Sequence, residues 1–468
     1  MTSMLIYAWS RSSPSNVLWS WSLVVVAVLS VRCAPQLPTL TYEKRLEVWS
    51  QTPSLVLPVE AVEEFRPASA PLDQATVVHM VLAHNPGIVA AHQAWRAALE
   101  RYPQVTALED PVLSYSLAPR TLGTATADDV GQSIQLSQRL PFPGKRPLQG
   151  LIALAEAKAM QGDYEAVRLN LALMALQLYD DYYVVERALE INLQHQTLLQ
   201  DFQRSAEAQY IIGRATQQDV IQAETEIAQL LHQEITLRTT RTVITAQLNG
   251  LLHRQPQAPL PAPPAQLPLP PLPTIPSQTL TEEALRQRPE VRASQARRKG
   301  SESAVHLAAL QYYPDVTLMG TYNSLWEAPE QRFTLGAAIN LPVQRARRLA
   351  AVAEAQARQA HADQEYSRLV DTVRVEVEQA YHRLLEAHQA ARLYQDRLLP
   401  AAHDRIVAAQ SGFEAGRTTL LTLLAAEKNQ RTVTLQYHEI LAEISRRQAQ
   451  LDRAVGRMPG LSLPGGTS

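Results

Sequence analysis

The chain has 468 residues, with 43 basic and 45 acidic side chains and a formal net charge of −2. So close a balance excludes a global field that would recruit nucleic acid. The single cysteine, Cys33, excludes an intrachain disulfide and a thiolate metal cluster. Aromatic residues are scarce at 6%, and the bias toward Ala, Leu, Gln, Glu and Arg fits long helices.

Residues 1–33 read as an export signal. Their apolar run, Val17 to Val31, follows Arg11 and is short for a spanning helix. An uncleaved anchor is the alternative. Cys33 stands where a bacterial lipoprotein carries its acylated cysteine, although Ser30-Val31-Arg32 matches poorly the small residues usual before it. Lipidation at Cys33 and a discarded or unmodified thiol both stay open. Residues 34–70, rich in proline and polar groups, read as an irregular segment.

The first repeat covers 71–254. Helical patterning from Pro71 to about Leu108 is interrupted at Asn85-Pro86-Gly87. Strands follow at about 112–118 and 132–140, where apolar and polar residues alternate. Next comes Leu140-Pro141-Phe142-Pro143-Gly144-Lys145-Arg146. Between Pro147 and Pro256 lie 108 residues without proline, broken only by the turn at Gly213-Arg214. A continuous helix from Arg146 to that turn would be roughly 100 Å long at ~1.5 Å per residue. Residues 255–279 form a linker, and the ten prolines between 255 and 276 demand an extended path.

The second repeat, 280–456, runs in the same order, with strands at about 315–323 and 332–341 and a turn at Gly416-Arg417. Pro400 predicts a kink in its long helix, and a return helix is expected from about Thr418 to Val455. A C-terminal tail occupies 457–468. A shift of 203 residues superposes Pro86 on Pro289, Pro111 on Pro314, Gly213 on Gly416 and Glu224 on Glu427; Leu140-Pro141 falls on Leu341-Pro342 at a shift of 201. Fixed-period self-similarity of this kind marks a duplicated unit. The fold class is therefore mainly α with a small β part, a strand-hairpin and long-helix unit used twice. The strands have the length and alternation of membrane barrel strands. Four strands cannot close a barrel, so they predict an oligomer; two hairpins on a soluble protein are the other reading.

The pattern resembles the TolC-like outer-membrane efflux proteins of Gram-negative bacteria over about residues 72–456. The resemblance rests on the duplication, Asn85-Pro86, Arg288-Pro289-Glu290, Asp110-Pro111, Tyr313-Pro314-Asp315, and the turns at Gly213-Arg214 and Ala415-Gly416-Arg417. It implies a homotrimer in outer-membrane lipid, with a 12-stranded β-barrel continuous with a periplasmic α-helical barrel. It also implies a passive exit duct docked to a periplasmic adaptor and an RND-type inner-membrane pump, with no cofactor and no enzymatic chemistry. The segment at 140–146 is similar to the heavy-metal efflux branch; a generic corner with Lys145 and Arg146 at the headgroup boundary is the alternative. A periplasmic coiled-coil structural or adaptor protein without a barrel is the rival to the whole reading.

Candidate gate residues lie at the two turns: Gly213, Arg214, Asp219, Gly416, Arg417 and Thr422. Family members often carry a ring of aspartates after the second turn glycine, but Thr422 and Ala425 occupy those positions. Asp219 takes the corresponding place in the first repeat, where it would either focus cations in a threefold ring or favour a helix N-terminus. Arg214 and Arg417 would engage an adaptor or the helix-end carbonyls. The 12 histidines are scattered, and His79 and His84, five apart, share a helix face poorly. No phosphate loop, nucleophile elbow or Cys/His couple is present.

Overall fold

The computed structural model describes residues 39–52, 71–118, 131–213, 216–324, 326 and 328–460. The export signal, Cys33 and Arg214 lie outside the described residues. Helices α1 (Thr39–Gln51), α2 (Gln74–His84), α3 (Pro86–Leu99) and α4 (Arg101–Thr106) precede strands β1 (Val112–Leu117) and β2 (Gln132–Leu140). The long α5 (Lys145–Ile211) and its return α6 (Gln217–Leu251) follow. The second half repeats the order: α7 (Ser277–Gln287), α8 (Pro289–Leu310), β3 (Val316–Asn323), β4 (Phe333–Ile339), α9 (Arg345–Leu393), α10 (Leu399–Glu414) and α11 (Leu420–Val455). Two compact units divide the chain, one holding residues 1–49, 97–157 and 297–362, the other 50–96, 158–296 and 363–468.

One expectation from the sequence is overturned and one is refined, each with a physical cause. Residues 34–70 read as irregular, yet Thr39–Gln51 is helical. Its support is tertiary: Tyr42 stacks on Tyr102 at 5.0 Å and donates to Glu100, and the Arg45 guanidinium reaches the Leu154 carbonyl. The irregularity expected at Pro400 lies just before it, in the helix that contains it. A π turn, Tyr394–Leu398, sits directly before α10 and makes room for the ring that would otherwise meet the carbonyl four residues back.

In the larger unit, apolar stripes on the long helices build two matching cores. Tyr179, Tyr182 and Tyr183 of α5 pack with Val77, Val78 and Val81 of α2 and Leu248 of α6. Val373, Val377 and Leu384 of α9 pack with Leu280 of α7 and Ile444 and Leu451 of α11. The proline-rich connector lies along the first core: Leu72 N donates to Ala262 O at 2.9 Å, and Asn249 Nδ2 to Ala258 O at 2.8 Å.

The two helix-breaking motifs are joints rather than gaps. Asn85 accepts from Gly87 N at 2.9 Å and donates to Leu251 O at 3.0 Å, so one side chain starts α3 and ties it to the end of α6. Arg288, buried before Pro289, pairs with Glu376 and Glu290, and Glu290 also pairs with Arg453. Burial opposes the charge on Glu290, but Arg453 and Arg288 hold its carboxyl below the usual range.

Asp180 is the costly residue of the first core. It is fully buried, accepts from Gln74 Nε2 at 3.0 Å, and leaves Oδ2 without a partner. Burial pushes its carboxyl up to about 8, against hydrogen bonds from Ser445 and Gln74 and the charge of Arg446. The folded state therefore holds a proton that the unfolded state releases near pH 4. The penalty grows as pH rises from about 4 to about 8, then levels. Asp180→Asn should stabilise this unit, with the gain increasing across that window. Unfolding of both proteins at pH 5, 6.5 and 8.5 checks this; a gain largest at pH 5 would contradict it.

Candidate functional site

The four strands form one antiparallel sheet in the order β1-β2-β3-β4. The central pairing joins the two halves of the chain: Ile134 lies opposite Tyr322, Leu136 opposite Gly320 and Leu140 opposite Val316. Within the hairpins, Tyr115 faces Ile134, Leu113 faces Leu136, Tyr322 faces Phe333 and Val316 faces Ile339. Cross-strand partners share a face, so this register gathers most of the large apolar residues of the four strands on one side, with Val112 and Met319 on the other. The other side carries mainly Ser, Thr, Gln, Gly and Ala, such as Ser114, Gln135, Thr321 and Ala338.

The apolar side is bare. Leu113 is 70% exposed, Phe333 75% and Leu335 95%. Burying a side chain of this size stabilises by roughly 1.5–3 kcal/mol, so a face of eight or so calls for an apolar covering. Among the described residues no helix is long and apolar enough to cross a membrane. In this sheet β1 and β4 each pair on one side only. In lipid their outer N–H and C=O groups would be unsatisfied, at several kcal/mol each.

Below the strands, the corner at 140–146 closes on one carboxylate. Asp315 is nearly buried and takes Lys145 Nζ at 2.7 Å, Arg139 Nη2 at 2.8 Å and the Phe142 N–H at 2.8 Å. Its own N–H donates to Asn340 Oδ1 at 2.6 Å. Asp315 thus binds the end of β2, the start of α5, the start of β3 and the end of β4. Arg146 turns onto the Thr106 carbonyl, with Nε at 2.8 Å. Lys145 and Arg146 are therefore structural donors within this unit. Phe142 stacks on Tyr313 at 4.6 Å beside them. Sequence reading marked both motifs, but not that they meet.

At the turns, Gly213 and Gly416 adopt left-handed backbone, φ +72° and +68°. Only glycine does so without strain. Thr216 caps α6 in a reciprocal box: its Oγ1 accepts from Asp219 N at 3.3 Å, and Asp219 Oδ2 accepts from Thr216 N at 2.9 Å. In the second turn Thr419 caps α11, accepting from Thr422 N at 3.3 Å. Asp219 and Thr422 thus hold equivalent cap positions. Asp219, Gly416 and Arg417 line one cavity of 510 Å³ with Gln209, Phe413 and Leu421; Gly213 and Thr422 do not line it. Arg417 is exposed and makes no ion pair among the described residues. Sequence reasoning missed the pairing of Glu427, buried on α11, with His195 of α5; its counterpart Glu224 is exposed. Among the described residues no group of three or more His, Cys, Asp or Glu is placed to hold a metal.

The model of the outer membrane efflux protein family matches residues 77–253 and 280–457. This chain belongs to that family. The efflux protein is 21% identical over 399 residues to the cobalt-zinc-cadmium resistance protein CzcC of Cupriavidus metallidurans, covering 84% of this chain and 92% of CzcC. Its fold is similar to that of the channel protein CusC, with a TM-score of 0.71 at 18% identity over 91% of this chain and 99% of CusC. It is also similar to the outer membrane protein VceC of Vibrio cholerae, with a TM-score of 0.68 at 18% identity over 82% and 96% of the two chains. The efflux protein is thus an outer-membrane channel protein, mostly helical with a small strand sheet.

Replacing Gly416 by valine forces a β-branched residue into left-handed backbone at about 1–2 kcal/mol, without a steric clash, since nothing lies within 4 Å of a Cβ there. Gly416→Val should reach the outer membrane in normal amount while export falls. Membrane fractionation with a tolerance assay checks this; undiminished export would show that the turn is not needed in this form.

Proposed function

We propose that three copies of the chain assemble so that their sheets, four strands each, close one 12-stranded barrel. The apolar side faces lipid and the polar side the lumen. The observation that carries this is the sheet itself, with its bare apolar face and two half-paired edges. Closure is the one arrangement in lipid that satisfies both. A periplasmic coiled-coil protein would leave that face in water.

The duct performs no chemistry and relies on an RND-type inner-membrane pump reached through a periplasmic adaptor. The turns at Gly213 and Gly416 form its periplasmic gate. Ile211 and Ile212 at the first turn, and Leu421 with Arg417 at the second, are all exposed and offer the adaptor apolar side chains and a cation. The substrate is a divalent heavy-metal cation of the kind named for CzcC. Asp219 serves the gate first as a helix cap, with any effect on cations secondary to that.

Deleting the gene should lower tolerance to cobalt, zinc or cadmium several-fold, and a plasmid copy should restore it. Growth across a metal series in deleted and complemented cells checks this. Unchanged metal tolerance with lost tolerance to organic drugs would overturn the substrate assignment.

A further inference from the structure

The chain contains one seam between its two repeats, where β2 pairs with β3. It leaves two loose edges, β4 at the end of the second repeat and β1 at the start of the first. Because the repeats are copies, the β2–β3 seam is a template for joining β4 of one molecule to β1 of the next. We infer that this second seam has a defined register and is held at its helix end by an ion pair between Arg345 of one copy and Glu109 of the next. The inference rests on the oligomeric reading above and deepens it.

The register follows from the two shifts that superpose the repeats. Moving β2 forward by 201 residues and β3 back by 203 turns Leu140↔Val316 into Leu341↔Leu113. Gln138↔Leu318 becomes Ile339↔Tyr115, and Ser137↔Met319 becomes Ala338↔Ser116. In every pair, apolar-side residues meet apolar-side residues, and small or polar ones meet their own kind. A slip of one residue would invert that.

β4 ends at Ile339 and β1 begins at Val112. Counting on from these ends, past Pro342 and the turn that opens α9, sets Arg345 level with Glu109 in chain count, at the helix end of the two edges. Arg345 is exposed and has no ion pair among the described residues. With Arg347 and Arg348 it lies in the first turn of α9, where the helix dipole disfavours cations. At the β1 start, Glu109 and Asp110 are exposed; the Glu109 side chain is 61% exposed and meets Arg139 at 3.3 Å, while its carbonyl accepts from Gln138 Nε2 at 2.7 Å. The basic end of one edge therefore meets the acidic end of the other. The template seam carries no charged pair at the matching positions, Gly144 and Tyr312. Its helix end is held by Arg139 and Lys145 on Asp315. Their counterparts in the second seam are Asn340, Ala346 and Val112, so a pair there has to come from other residues.

The test is oxidative cross-linking of the full chain in membranes. Ala338→Cys with Ser116→Cys should give covalent dimer and trimer bands. Ala338→Cys with Ser114→Cys or Ala118→Cys, each two residues off, should give far less, and the single variants control for Cys33. Strongest linking at either displaced pair, or none at all in a protein that native mass measurement shows to be trimeric, would overturn the register while leaving the duct intact. A protein that is monomeric throughout would overturn the oligomeric reading instead. For the ion pair, Arg345→Glu should lower the trimer surviving in detergent by roughly threefold or more, as expected when a modest pair is inverted at three seams. Adding Glu109→Arg should restore it. No loss, or loss without rescue, would overturn the pair.

Discussion

Backbone hydrogen bonding at a sheet edge is the constraint on which this molecule depends. A strand in water can leave an edge to solvent; a strand in lipid cannot, because each unpaired N–H or C=O costs several kcal/mol. The chain supplies four strands and satisfies three of the junctions they need, β1–β2, β2–β3 and β3–β4. The apolar face makes water an unsuitable surrounding, and the open edges make lipid unsuitable for one chain alone. Self-association resolves both, and the duplicated sequence gives each copy the same two edges to offer.

Asp315 shows how the strands are coupled to the helices. A carboxylate so little exposed is tolerated only because two cations and a backbone donor converge on it. In return, four chain segments are held at one point. The same logic recurs in the larger unit with Arg288, Glu290, Glu376 and Arg453, where the joint at Arg288-Pro289 is locked. In both places a proline breaks regular structure, and a charged residue beside it organises the break.

Much of the fold was legible in the sequence because the signals are local. Alternation over 132–140 and 315–323 reports a pleated strand with one apolar side, and the observed strands fall within a residue of those bounds. Gly213 and Gly416 were legible for the same reason, since tolerance of positive φ is a property of glycine itself. What stayed hidden depends on distance along the chain. The partners of Asp315 lie 170 and 176 residues away, so its role cannot be read from its neighbours. Helix α1 rests on Tyr42 against Tyr102, again a tertiary contact. The capping role of Asp219 was legible too, through Thr216 three residues earlier, and the structure shows that box; a threefold ring of Asp219 is a property of an assembly, which one chain does not display.

On the proposal above, the four-stranded sheet is one third of a closed membrane barrel. Single-particle imaging of the mature protein, extracted from membranes and held in lipid nanodiscs, tests it most directly. The account predicts a hollow assembly with threefold symmetry, twelve strands within the lipid belt, and Leu113, Phe333 and Leu335 facing lipid. A single chain or a pair lying outside the disc, with that face covered by another part of the protein, would contradict it.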